Sequence, residues 1–258
     1  MFRLDEKVAV VAGGAGYLGR AVCRGMIEQG ASVVVSDLDQ KRAESFVEEL
    51  SAGEFMGRCL ALSLDLRKKE SVAGLIDDVA KKLGRLDILV NATYAPHGAA
   101  ADALTPEAFT DSLAVNVAGC FQLAREAKKI MTSGGSVILF SSMYGRVAPD
   151  PRVYEKPMLP NPIEYGAAKA GIEQMVRYLA VAWAPDGIRV NGVCPGPFPN
   201  PKIQEEQPDF VKRLADKVPM GRIGRQKEIV GSVVFLASDE ASYVTGHTLV
   251  VDGGWTAW

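Results

Sequence analysis

Two hydrophobic patterns alternate along the chain: short continuous apolar runs and longer segments with helical spacing. Residues 7–12 form such a run, which is typical of a strand buried on both faces. Residues 18–29 then show helical spacing and end before Gly30, a residue that favours the carboxyl end of a helix. The same alternation continues to the end of the chain. The predicted strands are residues 7–12, 31–37, 58–66, 86–92, 136–142, 188–194 and 247–252.

Helical segments separate these runs. The clearest are residues 69–83, 106–131, 163–184 and 227–237. Seven strand-like runs separated by helices predict a parallel sheet with right-handed crossovers and helices on both faces. No internal repeat and no shift in composition marks a second domain. The sequence therefore predicts an α/β fold, a single doubly wound Rossmann-type domain over residues 1–258.

The composition narrows the classes of partner. With 258 residues, 48% of them hydrophobic, the chain can bury a substantial core. A formal net charge of −2 argues against nucleic-acid binding, which needs a clustered excess of Lys and Arg. No window approaches the roughly 18 consecutive apolar residues of a membrane span, and the first residues lack signal-peptide anatomy. The four widely spaced cysteines indicate reduced thiols and a cytoplasmic location.

A glycine-rich turn follows the first predicted strand. Gly14, Gly16 and Gly19 fit one dinucleotide-binding spacing, and Gly13, Gly16 and Gly19 fit a second one. Between a strand and a helix, such a backbone can approach a pyrophosphate closely, and the first helical amides can bind it. We therefore expect a dinucleotide here; a glycine-rich turn without a ligand is the alternative. The predicted cofactor contacts in this turn are Gly13, Gly16, Tyr17, Leu18 and Gly19.

The end of the second predicted strand carries a carboxylate. Asp37 lies 18 residues after Gly19, where an acidic side chain can accept both hydroxyls of an adenosine ribose. A carboxylate there repels a 2′-phosphate, and Leu38 rather than Arg follows it. We therefore predict NAD as the cofactor. NADP is kept as the alternative because Lys41 and Arg42 lie one helical turn further on.

Polar residues at the ends of the third and fourth predicted strands are further candidates. Asp65 is placed to face an adenine, although a helix-capping role is the simpler alternative. Asn91 could bond backbone groups beside the cofactor, or it could belong only to a turn. Both residues lie at the carboxyl edge of the sheet, where open α/β sheets bind ligands.

Tyr165 and Lys169 form the strongest candidate for chemistry. They are four residues apart, so a helix would place them on one face, one turn apart. Interconversion of a carbinol and a ketone moves a hydride at carbon and a proton at oxygen. A tyrosine with a pKa of about 10 is a poor base, and lowering that pKa by roughly three units needs about 4 kcal/mol of preferential phenolate stabilisation. We expect the Lys169 ammonium, with an oxidised nicotinamide nearby, to supply it.

Two further polar residues complete the predicted catalytic set. Ser142 and its neighbour Ser141 end the fifth predicted strand, where a hydroxyl could donate to the substrate oxygen. Asn116, within the predicted helix 106–131, could hold a water or a backbone carbonyl that continues a proton path from Lys169. A Tyr-x-x-x-Lys pair alone is common by chance. Its position after a strand-terminal serine and a dinucleotide turn is what favours a catalytic role over a surface pair.

Together these pieces resemble the classical short-chain dehydrogenase/reductase family over nearly the whole chain. The matching segments are 13–19, Asp65, 91–92, 116–119, 141–142, Tyr165, Lys169, 195–196 and 251–254. The catalytic tetrad that the resemblance implies is Asn116, Ser142, Tyr165 and Lys169, because the second serine of the family's pair is the catalytic one. The cofactor contacts expected beyond the glycine turn are Asp37, Asp65, Leu66, Asn91, Tyr165, Lys169, Pro195 and Gly196.

Three features depart from the family pattern. Ala12 stands where the family usually has Thr, and Tyr17 where it usually has the middle glycine. The catalytic serine and tyrosine are 23 residues apart, more than is usual, and the extra residues fall in the proline-rich segment 146–162. Because proline removes a backbone donor, neither this segment nor the proline-rich start of 195–225 can be a central strand or an unbroken helix. We predict both to be substrate loops.

The motif at 141–145, the loop prolines and the Tyr154-Glu155 pair also resemble oxidoreductases of bacterial surface-sugar and flagellin-modification pathways. That resemblance implies a polyhydroxylated or sugar-like small-molecule substrate. Two alternative functions stay open: a 3-oxoacyl-thioester reductase and a non-catalytic dinucleotide-sensing protein.

Three further features of the sequence concern metal binding, hydrolysis and oligomeric state. The two histidines, His97 and His247, have no Cys, Asp or Glu at ligand spacing, so we predict no metal site. Ser142 lies in no Gly-x-Ser-x-Gly elbow, which argues against a hydrolase. The helical segment 172–183 is apolar on more than one face, which suggests a subunit interface. With the family resemblance, this predicts a homodimer or homotetramer.

Overall fold

The computed structural model describes residues 1–52, 55, 57–95 and 98–258. The strands are β1 Val8–Ala12, β2 Ser32–Asp37, β3 Cys59–Ser63, β4 Ile88–Asn91, β5 Gly135–Phe140, β6 Ile188–Pro195 and β7 Thr248–Val251. Within the described residues they form one seven-stranded sheet in the order β3-β2-β1-β4-β5-β6-β7, and every pairing is parallel. The predicted parallel sheet is confirmed, and each strand overlaps its predicted run.

Helices cover both faces of this sheet, as predicted. They are α1 Tyr17–Glu28, α2 Gln40–Ser51, α3 Lys69–Leu83, α4 Pro106–Leu113, α5 Cys120–Lys128, α6 Ile163–Trp183, α7 Pro201–Glu206, α8 Pro208–Lys217 and α9 Val230–Ala237. Successive residues of β1 alternate between two apolar clusters: Val10 packs with residues of α3, α5 and α6, whereas Ala9 and Val11 pack with residues of α1, α2 and α9. Burial on both faces explains why the strands read as continuous apolar runs. No helix in the described ranges is long and apolar enough to cross a membrane.

Two segments differ from the predicted elements. The predicted helix 106–131 is divided, because α4 passes into a π-helical turn at Ala114–Gly119 and α5 ends at Lys128. A π-turn often occurs at a functional site, and the spacing of apolar residues does not reveal it. The predicted loop 195–225 contains α7 and α8, each begun by a proline whose fixed φ suits a first helical turn. The prolines therefore divide this segment into two helices.

A third and smaller apolar cluster lies beside the end of β5. Its buried members come from the turn after β5, from the segment 146–162, from α8 and the residue that follows it, and from the chain's last residues. They are Met143, Tyr144, Val153, Leu214, Val218 and Trp255. The two predicted substrate loops therefore pack against each other.

Candidate active site

A cavity of about 510 Å³ lies at the carboxyl edge of the sheet and is lined by residues that follow β1 through β6. The predicted site residues that line it are Gly13, Gly16, Tyr17, Leu18, Gly19, Asp37, Asp65, Leu66, Ser142, Tyr165, Lys169, Pro195 and Gly196. The structure therefore brings together residues more than 180 positions apart in the chain. Asn91 and Asn116 are not among the lining residues. Their side chains instead hold residues that line the cavity, as described below.

The glycine turn forms the first part of this cavity. Gly13 has a φ of +76°, and its carbonyl accepts the Gly16 N–H at 3.0 Å. A Cβ on Gly19 would lie 2.0 Å from the same carbonyl oxygen, so only glycine lets α1 begin this close to the turn. A Cβ on Gly14 would instead meet the Val11 carbonyl at 2.8 Å, and Gly14 does not line the cavity. Of the two predicted spacings, Gly13, Gly16 and Gly19 is the one that faces the cavity.

A carboxylate and a guanidinium lie together after β2. Asp37 accepts the Ala15 N–H at 3.2 Å through one oxygen and the Asp39 N–H at 3.2 Å through the other. The Arg42 guanidinium donates to the Ala15 carbonyl at 2.9 Å. Asp37 and Arg42 both line the cavity. The carboxylate suits a ribose diol, whereas the guanidinium suits a phosphate.

Asp65 stabilises the turn before α3, whose N-cap is Lys68, so the helix-capping alternative does not hold and the adenine contact stays a prediction. One carboxylate oxygen accepts the Arg67 N–H at 3.0 Å, which closes the turn before α3, and the other lies 3.6 Å from the Lys68 ammonium. The residue also lines the cavity. The side chain that stabilises the turn is thus also available to a ligand.

The two predicted asparagines hold the segment after β4 in place. The Asn91 side-chain oxygen accepts the Thr93 N–H at 3.1 Å and the Thr93 hydroxyl at 2.7 Å. Asn116, in the π-turn, donates to the Ala95 carbonyl at 2.8 Å and accepts the Ala95 N–H at 3.1 Å. Thr93, Tyr94 and Ala95 line the cavity, and sequence reasoning missed them. Their position directly after a strand at the carboxyl edge was the signal that could have found them.

Tyr165 and Lys169 lie one turn apart on α6, as predicted. The Lys169 ammonium lies 5.7 Å from the centre of the Tyr165 ring and donates to the carbonyls of Phe140 at 2.8 Å and Thr93 at 3.5 Å. Burial lowers the pKa of Lys169 to about 8. Burial also raises the pKa of Tyr165, against the opposing effect of a hydrogen bond with Ser142. Desolvation of the phenolate outweighs that hydrogen bond. The expected lowering of the Tyr165 pKa, which needs an oxidised nicotinamide beside Lys169, stays a prediction.

The two serines after β5 have different partners. Ser141 donates its hydroxyl proton to Glu173 at 2.8 Å, and the same carboxylate oxygen accepts the Arg146 guanidinium at 2.8 Å. Ser142 accepts the Tyr144 N–H at 3.2 Å, so its own proton is left to donate. Both serines line the cavity, and the choice of Ser142 as the serine that meets a ligand stays a prediction. Sequence reasoning missed Glu173, although it lies one helical turn after Lys169.

Aromatic and apolar side chains surround the tyrosine. Tyr94 packs edge-to-face on Tyr165 with ring centres 4.8 Å apart, and Val115 and Phe198 also line the cavity. Among the described residues, no group of three or more His, Cys, Asp or Glu is placed to hold a metal ion. His97, one of the two histidines weighed above, lies outside the described residues.

Known proteins resemble this chain over nearly its whole length. A family model described as Enoyl-(Acyl carrier protein) reductase matches residues 13–256. The chain belongs to the short-chain dehydrogenase/reductase family. This confirms the family resemblance, and it makes the protein an oxidoreductase.

Three relatives illustrate the range of this short-chain family. The cis-4-hydroxycyclohexanecarboxylate dehydrogenase of Sinomonas cyclohexanicum is 35% identical over 255 residues, which cover 98% of this chain and 97% of the relative. The D-arabinitol 2-dehydrogenase (ribulose-forming) of Scheffersomyces stipitis is 32% identical over 275 residues, covering 100% and 96%. The crystal structure of a gluconate 5-dehydrogenase from Burkholderia cenocepacia in complex with NADP and tartrate has a TM-score of 0.88 and 29% identity, covering 100% of this chain and 98% of that one.

The residues present fit the nicotinamide dinucleotide that short-chain dehydrogenase/reductases bind. Gly13, Gly16 and Gly19 line the cavity without side chains beside the start of α1, and the N-terminus of a helix favours a pyrophosphate there. Tyr165, Ser142 and Lys169 line the same cavity. A ligand that lies on the turn can therefore extend to the catalytic side chains.

Proposed function

We propose that this chain is an NAD(H)-dependent oxidoreductase that interconverts a secondary alcohol and a ketone. The observation behind this proposal is that one cavity is lined both by Ser142, Tyr165 and Lys169 and by the glycine turn with Asp37. Hydride transfer needs a dinucleotide and an acid/base group in one continuous space, and this arrangement provides it.

The proposed roles follow from the protonation states. The Tyr165 pKa is raised above its ordinary value, so the residue is a neutral phenol at neutral pH and can donate its proton to a ketone oxygen. Ser142 donates a hydrogen bond to the same oxygen, and the buried Lys169 ammonium stabilises the phenolate that remains. A bound nicotinamide supplies or accepts the hydride. Asn116 and Asn91 keep the 93–95 segment, and with it one carbonyl partner of Lys169, in place.

We propose a polyhydroxylated or sugar-like small molecule as the substrate. Support comes from relatives named for D-arabinitol and gluconate, and from one named for a hydroxylated cyclohexane ring. In each of these names a hydroxyl on a saturated carbon skeleton is the group oxidised. We propose that segments 146–162 and 195–225 are the substrate loops of a single domain over 1–258 and that they set this specificity. Segment 146–162 contains the residues that exceed the usual family spacing.

NAD rather than NADP is part of the same proposal. The Asp37 carboxylate repels a 2′-phosphate, although Arg42 beside it could attract one.

We further propose a homodimer or homotetramer in the cytoplasm. Tyr178 and Val181 of α6 are 70% and 79% exposed, and such large apolar side chains on one helix suit a subunit interface.

A substrate panel read by NADH absorbance tests the proposal. Polyols, free sugars, nucleotide sugars and simple cyclic alcohols are offered with NAD⁺, and the matching ketones with NADH. We expect turnover of at least one hydroxylated substrate, and a preference for NAD(H). No hydride transfer across the panel would favour a non-catalytic dinucleotide-sensing protein.

A 3-oxoacyl-thioester reductase is the second candidate, because a relative from Thermotoga maritima that is 31% identical over 98% of this chain is named 3-oxoacyl-[acyl-carrier-protein] reductase. An acetoacetyl thioester with NADPH is therefore included in the panel. Faster turnover of this thioester than of every polyol would replace the first proposal by the second.

A further inference from the structure

The segment 146–162 is attached to α8 by charged groups. The Lys217 ammonium donates to Asp150 at 2.6 Å, and the Arg152 guanidinium donates to the same carboxylate at 2.7 Å. The Arg213 guanidinium donates to the Val153 carbonyl at 2.8 Å. These contacts join a segment that precedes α6 to a helix about 60 residues later in the chain. The segment is therefore ordered on α8.

Tyr154 lies at the centre of this segment and has two different contacts. Its ring packs on Phe210 of α8, with ring centres 5.4 Å apart. Its hydroxyl forms a hydrogen bond of 2.6 Å with the hydroxyl of Tyr144. The residue thus links α8 to the turn that follows β5.

Tyr144 continues this contact to the predicted catalytic serine. Its side chain is buried, with 6% exposed, and lies edge-to-face against Trp255. Its backbone N–H donates to the Ser142 hydroxyl oxygen at 3.2 Å. A donor on that oxygen restricts rotation of the Ser142 hydroxyl, whose proton must point at the reacting oxygen. The residue whose side chain meets Tyr154 thus also restricts the Ser142 hydroxyl, through its backbone N–H.

We propose that Tyr154 is a positioning residue for the reaction, which acts through Tyr144 to orient Ser142. This inference rests on the proposed function, because it needs Ser142 to meet the substrate. Tyr154 does not line the cavity, so it has no direct contact with a ligand there. It would make the activity of Ser142 depend on the packing of the inserted segment against α8.

The test is a set of variants read by kcat and by NADH affinity. Tyr154→Phe keeps the ring on Phe210 and removes only the hydroxyl. We expect kcat to fall about tenfold, which is less than the loss expected when a catalytic acid/base group itself is removed. The dissociation constant for NADH should stay within about twofold of the parent value. Tyr243→Phe, at a fully exposed tyrosine, is the matched control and should leave both unchanged.

A double variant separates positioning from general stability. If Tyr154 acts through Ser142, then Ser142→Ala/Tyr154→Phe should be no slower than Ser142→Ala alone. If the two substitutions lower kcat by independent factors that multiply in the double variant, the inference is overturned. It is also overturned if the kcat of Tyr154→Phe stays within about twofold of the parent value. Where Tyr154→Phe is too unstable to assay, Tyr144→Phe removes the same hydrogen bond from its other end. Full activity in Ser142→Ala would instead contradict the proposed role of Ser142. The proposed function itself fails only if the parent transfers no hydride in the substrate panel, so the two failures are distinguishable.

Discussion

The two ends of the cavity are built in different ways. At the nucleotide end the critical groups lie within one turn, residues 13–19, and much of their geometry is a backbone property, such as the φ of +76° at Gly13. At the catalytic end the hydroxyls, the ammonium and its carbonyl partners come from α6, from β5 and from the segments that follow β4 and β5. Asn116 of the π-turn holds the segment after β4 in place. The nucleotide end therefore depends on local conformation, whereas the catalytic end depends on long-range contacts. Substitutions at the nucleotide end should change the affinity for NADH, and substitutions at the catalytic end should change kcat.

The strongest test of this separation is Tyr165→Phe. The substitution removes the group that we propose to exchange the proton with the reacting oxygen, so we expect turnover to fall by at least about 1,000-fold. NADH titration should give a dissociation constant close to that of the parent, because the ring remains. A variant that retains substantial turnover would show that Tyr165 is not the acid/base.

Gly19→Ala tests the nucleotide end. The added Cβ would lie 2.0 Å from the Gly13 carbonyl oxygen, so the turn must open. We expect NADH affinity to fall on the order of 100-fold, equivalent to about 2.7 kcal/mol. Gly74→Ala is the matched control, since a Cβ there meets nothing within 4 Å, and its affinity should be unchanged. Equal affinity in Gly19→Ala, with the fold checked by circular dichroism, would contradict the role of the turn.

Cofactor choice is tested at Asp37. Asp37→Ser removes the carboxylate that opposes a 2′-phosphate and leaves Arg42 in place. We expect the ratio of kcat/KM for NADH over NADPH to fall about 20-fold, in the range expected for loss of a like-charge contact. In the double variant Asp37→Ser/Arg42→Ala, this shift towards NADPH should be lost. If the parent already prefers NADPH, the guanidinium rather than the carboxylate determines the choice.

The smallest expected effect concerns pH. The Lys169 pKa is about 8, below its ordinary value of 10.5, so the ammonium is present below pH 8 and is lost as the pH rises through it. The rate of ketone reduction should therefore fall about tenfold between pH 7 and 10, because phenolate stabilisation is lost. The Tyr165 pKa is raised above 10, so its own titration lies beyond this range.

Lys169→Arg supplies the control for this profile, because a guanidinium remains charged throughout. Its absolute rate is expected to be lower, but its profile should be flat from pH 7 to 10. A parent rate that does not change over the same range would contradict the role of the ammonium.

Prediction from the sequence succeeded where the signal is local or periodic. Tyr165 and Lys169 lie on one face of α6 because a four-residue spacing has only one outcome in a helix. The predicted helix 106–131 was wrong in its middle and at its end, because a π-turn and a carboxyl-terminal stop leave the apolar spacing almost unchanged. The sequence also did not reveal the burial that raises the pKa of Tyr165 and that Lys169 and a nicotinamide would have to oppose.

By itself the sequence determined the alternation of strands and helices, the glycine turn and the tyrosine–lysine pair, since each is encoded by residues close together in the chain. Only the tertiary structure decided between alternatives that the chain leaves equal. Ser141 is engaged by Glu173, 32 residues away, which leaves Ser142 to donate. Asn116 bonds Ala95, 21 residues away. The segment 146–162 is ordered by Lys217, 67 residues beyond Asp150. Such contacts depend on how distant elements pack, and no local pattern records them.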